Sequence, residues 1–181
     1  MAVLFSCKKD FFAESGPGQL SFSSDSILFD TVFTSVGSVT KTLMVYNRNE
    51  NPVDVSHIGL VNKNSNSFYR INVDGLPYNM QENLKIGPQD SIFVFVEVTV
   101  NPNDNNTPFL VSDSIEFVTN NKSQYINLIA FGQNANFYTP QDNIYEDVDG
   151  NEIILRYYPI KGNEIWSNEL PHLVYLSLIH I

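Results

Sequence analysis

The sequence has few of the residues that disulfides, zinc sites and nucleic-acid surfaces require. Its 181 residues include one cysteine and three histidines, and 10 basic residues stand against 20 acidic ones. One cysteine excludes an internal disulfide, and no two histidines have the spacing of zinc ligands. The formal net charge of −10 argues against binding of nucleic acid, which depends on clustered positive charge. We therefore expect no cofactor and no nucleic-acid partner.

Long apolar runs are missing as well. No run approaches the roughly eighteen apolar residues that cross a membrane as a helix. The overall apolar content of 43% is nevertheless sufficient for a hydrophobic core. Any contact with a membrane would therefore come through a covalently attached lipid.

The single cysteine, Cys7, follows the short apolar run Leu4-Phe5-Ser6. A free thiol in an exported protein is a reactive liability, which acylation removes. The run resembles the processing site of bacterial lipoproteins, where a peptidase cuts before a cysteine that carries a diacylglycerol. The resemblance implies that residues 1–7 are part of a lipoprotein signal and that Cys7 is the lipid anchor. The alternative is an N-terminal cysteine without a function.

A short tether is predicted between this anchor and the folded region. Residues 8–18 end in Glu14-Ser15-Gly16-Pro17-Gly18. Proline lacks a backbone donor and glycine loses much entropy on ordering, so this stretch continues neither a helix nor a sheet. We expect the folded region to begin near Gln19.

From residue 19 to residue 134, short strand patterns alternate with turn residues. In the strongest pattern, Ile92–Val100, every second residue is apolar, which is the period of a strand and not of a helix. Asn-, Pro- and Gly-rich turns separate the strands, as in a sandwich. The sequence therefore predicts an all-β fold, an immunoglobulin-like antiparallel β-sandwich of seven to nine strands. The predicted strands are Gln19–Ser23, Ser26–Phe33, Val39–Asn47, Val53–Val61, Phe68–Val73, Asn83–Ile86, Ile92–Val100, Asp113–Val118 and Gln124–Phe131.

The order of these strands and turns resembles a known domain type. The signals are, in order, Phe29–Phe33, Val39–Asn49, Pro52-Val53, the Ile86–Ser91 turn, the Ile92–Val100 strand, Asp113–Ile115 and Ile129–Gly132. They resemble the abnormal-spindle and major-sperm-protein type of immunoglobulin-like domain, as found near the N-terminus of Bacteroidota cell-envelope lipoproteins. The resemblance implies a structural and interaction module.

The residue pattern of the chain changes after the sandwich. Residues 135–175 are interpreted as a linker and the start of a second β unit, with strands at Glu152–Ile160 and Glu164–Ser167. In the lipoproteins just named, a similar segment leads into a right-handed parallel β-helix, so the resemblance implies that this chain is truncated. Residues 176–181 are interpreted as translated sequencing adapter. The alternative is a genuine apolar C-terminal strand.

The acidic residues offer two candidate sites. Asp147 and Asp149 match the first two acidic positions of a calcium-binding loop, but no flanking helices are indicated. The favoured alternative is a hairpin in which Asp149-Gly150 adopts positive φ. A second calcium candidate is the asparagine-rich loop at 103–106. Glu97 with Glu116 is the candidate carboxylate pair for glycoside cleavage, with two solvent-facing strand acids as the favoured alternative. No Gly-x-Ser-x-Gly motif is present.

Aromatic residues concentrate after the sandwich and form the best binding hypothesis. Exposed rings stack on sugars or anchor a protein partner. The favoured alternative is that these rings pack the second unit. The candidates for ligand contact are Tyr138, Tyr145, Tyr157, Tyr158 and Trp166, with Phe137 nearby.

Together these features predict a non-catalytic cell-envelope lipoprotein module. The sandwich would act as a spacer and interaction domain that presents a downstream domain, anchored by Cys7 to the outer membrane on its periplasmic or cell-surface face. Its other partners would be envelope proteins or glycans. Two alternatives stay open: a glycan-binding surface protein, and the N-terminal fragment of a polysaccharide-acting β-helix enzyme.

Overall fold

A computed structural model describes residues 18–62, 67–76, 80–102, 108–159 and 165–175. The predicted anchor Cys7, the predicted tether up to residue 17, the loop at 103–106 and residues 176–181 lie outside the described residues. In the described part of the chain, no helix is long and apolar enough to cross a membrane.

The described residues form strands and no helices. The strands are β1 (Ser21–Phe22), β2 (Ser26–Phe33), β3 (Lys41–Tyr46), β4 (Val53–Leu60), β5 (Tyr69–Val73), β6 (Met80–Ile86), β7 (Ser91–Val98), β8 (Phe109–Thr119), β9 (Lys122–Gln133), β10 (Asn136–Tyr138), β11 (Gln141–Glu146), β12 (Glu152–Tyr157) and β13 (His172–Val174).

The first nine strands form two sheets. One sheet has the order β1-β3-β7-β5, and the other has the order β2-β9-β8-β4-β6. The chain changes sheets at every connection from β1 to β8, and only β8 and β9 follow each other within one sheet. This arrangement confirms the predicted immunoglobulin-like β-sandwich.

The alternation of residue types explains which side of each strand is buried. In β7, Ile92, Val94, Val96 and Val98 are buried, while Phe93, Phe95 and Glu97 are exposed. Period-two burial of this kind lets the inner faces of the two sheets interdigitate. Side chains from β1 to β9 contribute to one continuous core.

One pair of neighbouring strands in the sandwich is parallel. β2 runs parallel to β9, with a register shift between Leu28 and Thr31. Leu20 is hydrogen-bonded to Gln124 near the start of β9, and Phe33 is opposite Gln133 at its end. The chain from Leu20 to Phe33 therefore advances in the same direction as β9. At this one pair the sheet departs from the antiparallel pairing predicted for the sandwich.

Tyr69 is the largest fully buried side chain of the core. Its hydroxyl donates to the backbone oxygen of Val111 at 2.9 Å, and its ring lies 6.0 Å from that of Phe29. Burial, with a smaller contribution from the charge of Asp113, raises the pKa of Tyr69. The phenol therefore stays neutral and keeps donating.

The remaining strands form two small ribbons. β10 runs parallel to β13, and β11 pairs with β12 as an antiparallel hairpin. The strand expected at Glu164–Ser167 is wrong for its described residues, because residues 165–167 have no strand structure. Trp166 is held by ring stacking, as described below, and not by strand pairing.

Candidate functional site

Four rings of the C-terminal segment meet in what we call the aromatic cluster: Tyr138, Tyr158, Trp166 and His172. Trp166 stacks on Tyr138 with centroids 4.8 Å apart and on His172 at 5.0 Å. Tyr158 meets Tyr138 edge to face at 5.0 Å. Both geometries are favourable for aromatic rings. Trp166 still keeps 44% of its surface exposed.

Hydrogen bonds fix the orientation of His172 in this cluster. Nε2 of His172 lies 2.7 Å from the backbone oxygen of Ser167, which can only accept, so Nε2 carries a proton. Nδ1 lies 2.8 Å from the hydroxyl of Tyr138. In the neutral ring, Nδ1 therefore accepts from Tyr138, and the imidazole is held at both nitrogens.

Strand pairing brings two of the four rings, Tyr138 and His172, together. In the parallel β10–β13 ribbon, Tyr138 is opposite Val174, and His172 lies two residues before Val174 on the same strand face. Phe137 is opposite Leu173 in the same ribbon. No local pattern in the sequence indicates a pairing between segments 36 residues apart, so His172 is not among the predicted contacts.

Two of the predicted contact residues lie elsewhere, on the β11–β12 hairpin. The rings of Tyr145 and Tyr157 stack with an interplanar angle of 16°, and their hydroxyls are hydrogen-bonded to each other. The hydrogen bond between the two hydroxyls is the main cause that raises the pKa of Tyr157. The five predicted aromatics therefore divide into the aromatic cluster and this tyrosine pair.

The loop of the same hairpin contains the weak calcium candidates. Asp147 accepts hydrogen bonds from the backbone N–H groups of Asp149 and Asn151 and from the amide of Asn151, at 2.8 to 3.0 Å. These bonds, led by the Asn151 side chain, lower the pKa of Asp147. Within the described residues, no group of three metal-ligating side chains includes Asp147 or Asp149.

The favoured alternative for this loop, a hairpin, is confirmed, but its turn differs from the predicted one. Gly150 has φ of +81°, whereas Asp149 has no positive φ. The turn is a five-residue loop between Glu146 and Glu152, closed by the Asp147 carboxylate, and not a two-residue turn on Asp149-Gly150.

The candidate carboxylate pair does not meet. Glu97 is on β7 in the four-stranded sheet, and its Oε1 accepts from the hydroxyl of Thr40. Glu116 is on β8 in the other sheet, where it accepts from Ser123 and Tyr125. Both alternate with buried neighbours along their strands, so they point outward from opposite faces of the core. They cannot share a glycosidic bond.

An apolar patch on the outer face of the five-stranded sheet was not predicted. We call Leu28, Leu110, Ile129 and Phe131 the outer patch. Phe131 is opposite Leu110 on β8, and Leu28 is opposite Ile129. Leu28, Leu110 and Phe131 are 62%, 63% and 44% exposed. Three neighbouring strands thus place large apolar side chains in water, a feature of interaction surfaces.

A shallow basin with both polar and apolar lining residues adjoins the outer patch. It has a volume of about 420 Å³ and is lined by residues that include Asn62, Ser112, Ser114 and Asn127 beside Ile129. One wall is fixed by Asp113, whose carboxylate accepts from the Asn62 N–H at 3.1 Å and the Ser67 hydroxyl at 3.1 Å. The outer face therefore combines an apolar area with an ordered polar rim.

Comparisons with known proteins give similarity of fold alone. No protein-family model matches the chain, and no curated protein matches it. Among solved structures, it is similar to a PapD-like domain of human CEP192, at 12% identity over 74% of this chain and 96% of that one, with a TM-score of 0.43.

Two bacterial structures are similar in the same degree. The E. coli chaperone DraB matches at 12% identity over 64% of this chain, with a TM-score of 0.38, and a Porphyromonas gingivalis W83 protein of unknown function at 13% over 71%, with a TM-score of 0.41. The chain spans 55% and 57% of these two proteins, less than two thirds of either. At these TM-scores, no function follows from the likeness.

Proposed function

We propose that this chain is a non-catalytic module of a cell-envelope lipoprotein, in which the sandwich is a rigid spacer between a lipid anchor and a C-terminal unit. The observation that carries the proposal is the position of the two ends of the sandwich. Gly18 accepts a hydrogen bond from Asn120, in the turn before β9, and donates to Asn49. We call this end of the sandwich the N-terminal pole.

The C-terminal segment leaves from the opposite pole. β9 starts beside Gly18 at the N-terminal pole and runs for 12 residues to Gln133, after which β10 begins. At about 3.3 Å per residue, this strand separates the two connections by roughly 36 Å. A fold whose two connections lie at opposite ends extends a chain, which is what a spacer must do.

Membrane anchoring is the second part of the proposal. Residues before Gly18 would lead from the N-terminal pole to an acylated Cys7 on the outer membrane. Two or three acyl chains would hold the protein there, since each buried methylene contributes about 0.8 kcal/mol. The outer patch would then face other envelope proteins, for which exposed apolar area of this kind is suited.

Metabolic labelling tests the anchor. The full gene is expressed in its native host with an alkyne fatty acid, and the membrane fraction is examined for labelled protein. We expect label on the natural chain and none on a Cys7→Ser variant, which should leave the membrane fraction. An unlabelled natural chain, or a labelled Cys7→Ser variant, would refute the anchor.

Fluorescence quenching tests the spacer separately. In the lipidated protein, an introduced thiol would be the only free one, so a dye can be attached to Asn121→Cys at the N-terminal pole or to Thr139→Cys beyond the opposite pole. On vesicles that contain a quenching lipid, we expect stronger quenching at residue 121. Equal quenching at both positions would contradict a spacer that extends from the membrane.

Glycan binding is a second candidate, favoured by one specific observation. The indole of Trp166 is held by stacking on Tyr138 and His172 but remains 44% exposed, as a ring that stacks on a sugar must be. A glycan array tests this with Trp166→Ala and Tyr158→Ala, and with Tyr125→Ala as a matched exposed tyrosine on the sandwich. Absent binding, or binding that all three variants retain, would refute it.

A further inference from the structure

The β11–β12 hairpin leaves apolar side chains in water on both of its faces. Ile144 and Ile154 pair on one face and are 64% and 61% exposed, while Tyr145 and Ile153 pair on the other and are also exposed. A two-stranded ribbon without a packing partner is only marginally stable in water. In the described residues, β12 pairs with no strand other than β11, so its second edge is open.

Hydrogen bonding within the hairpin decides which backbone groups face this open edge. The N–H of Asp147 donates to the oxygen of Asn151 at 2.9 Å, inside the hairpin. Hydrogen-bonded and non-hydrogen-bonded pairs alternate along an antiparallel ladder. The residues of β12 whose N–H and C=O groups point away from β11 are therefore Glu152, Ile154 and Arg156.

These three residues are complementary to themselves. We infer that β12 pairs antiparallel with β12 of a second copy of this chain, about a two-fold axis at Ile154. In this register Ile154 is opposite Ile154 of the second copy, and Glu152 is opposite Arg156 on both sides of the axis. All three pairs use the outward-pointing backbone groups, and opposite charges face each other across the strands.

The other edge of the hairpin does not have this property. By the same alternation, the outward residues of β11 are Asp142, Ile144 and Glu146. An equivalent pairing about Ile144 would place Asp142 opposite Glu146 of the second copy, and like charges directly opposite each other are destabilising. The charges thus select β12 and disfavour β11.

Pairing through β12 would also complete the apolar face of the hairpin. The resulting sheet has the order β11-β12-β12-β11, and its central row is Ile144-Ile154-Ile154-Ile144. Beside this row, Arg156 lies between Asp142 of its own chain, with which it has an ion pair at 3.6 Å, and Glu152 of the second copy. A four-stranded sheet with an isoleucine row replaces two marginal ribbons.

This inference goes beyond the proposed spacer function and does not depend on it. The hairpin follows the sandwich in the chain, and the pairing requires no lipid. Lipidation of Cys7 can fail while the dimer forms, and the reverse also holds, so the two outcomes are distinguishable.

Analytical ultracentrifugation of the full chain tests the charge pattern. We expect a dimer for the natural chain and loss of half the molar mass for Glu152→Arg and for Arg156→Glu. The double variant E152R/R156E should dimerise again, because it restores both facing pairs. Within the hairpin, the double variant makes the pair at Asp142 unfavourable and the pair at Glu146 favourable. The two changes offset each other, so the stability of the monomer is little changed. A monomeric natural chain, or single variants that remain dimeric, would overturn the proposal.

Matched cysteines test the register. In a Cys7→Ser background, Ile154→Cys should form an intermolecular disulfide on oxidation, because facing residues of a hydrogen-bonded pair have Cα atoms about 5.5 Å apart. Ile144→Cys, equally exposed but on β11, should not, since three inter-strand spacings separate it from its copy. Equal cross-linking at both positions, or none at residue 154, would overturn the pairing.

Discussion

The sandwich and the C-terminal segment are both built from β-strands, but they bury very different parts of their side chains. Leu43, Val55, Phe117 and Leu128 in the sandwich have no exposed surface. The facing pair Ile144 and Ile154 in the hairpin is mostly exposed. A segment of this chain can thus form strands without forming a core, and only the first nine strands contribute to a core.

The difference follows from how many layers each region has. A strand in the sandwich packs its inner face against a second sheet about 10 Å away. The ribbons of the C-terminal segment are two strands wide and depend on other contacts. These are the rings of the aromatic cluster, the bonds of the Asp147 loop and, by our inference, a second copy of β12.

The largest effect that tests this contrast is expected from the loss of a core side chain. Phe117→Ala removes a fully buried ring that lies 4.9 Å from the ring of Phe22, and we expect it to lower the free energy of unfolding by about 3–5 kcal/mol. Ile165→Ala, at an exposed position of the C-terminal segment, should change it by less than about 0.5 kcal/mol. Urea denaturation measures both. Similar losses would contradict the contrast.

A glycine pair tests how tightly the sandwich is packed. A Cβ at Gly132 would lie 2.6 Å from the Phe109 ring and 2.8 Å from Val100, so Gly132→Ala should cost about 1–3 kcal/mol. At Gly37 the nearest atom would be 3.7 Å away, and Gly37→Ala should be close to neutral. The urea midpoints of the two variants compare these sites directly. A neutral Gly132→Ala would mean that this end of the core is loosely packed.

Tyr69 sharpens the contrast through pH. Because the folded-state pKa of Tyr69 is raised above that of the unfolded chain, its contribution is complete below pH about 10 and is lost as the pH rises above that value. Tyr69→Phe removes the hydrogen bond to Val111, at a cost of about 1–2 kcal/mol near neutral pH.

The same variant should lose stability less steeply than the natural chain between pH 9 and 11, since it cannot ionise at this position. Unfolding in urea at several pH values measures the slope. Parallel curves for the two proteins would show that Tyr69 does not carry the effect.

The smallest effect is expected in the hairpin loop. Hydrogen bonds to Asp147 lower its folded-state pKa, so their contribution is present above the usual aspartate range and is lost as the pH falls through the lowered value. In an NMR titration, the amide resonance of Asn151 should move at a pH below that range. Asp147→Asn should abolish the movement. A transition within the usual range would mean that the loop bonds are not formed in solution.

Much of the sandwich could be predicted from local patterns. The predicted strand Ser26–Phe33 has the observed bounds, and Ile92–Val100 differs from β7 by one residue at its start and two at its end. Alternation determines which residues are buried, and turn residues mark the ends of strands. Each of these signals can be read from a few consecutive residues.

The parts that were not predicted depend on contacts between distant residues. The parallel alignment of β2 with β9 and of β10 with β13 has no local signature. The outer patch was missed because Ile27, Leu28 and Phe29 are all apolar, so the sequence does not indicate which face is in water. Lipid attachment at Cys7 and ligand binding by the C-terminal aromatic residues stay predictions.

The alignment of β2 with β9 has a mechanical consequence. Once β1 has separated from β3, tension between a membrane anchor and a distal unit would pull β2 from its first residue and β9 from its last, at opposite ends of one parallel pair. The hydrogen bonds between Ser26–Phe33 and Asn127–Gln133 would then be loaded together in shear, and not opened one after another. In single-molecule pulling, we expect this direction to require more force than peeling β6 from β4. The fold would thus be strongest along the axis on which a tethered spacer is pulled.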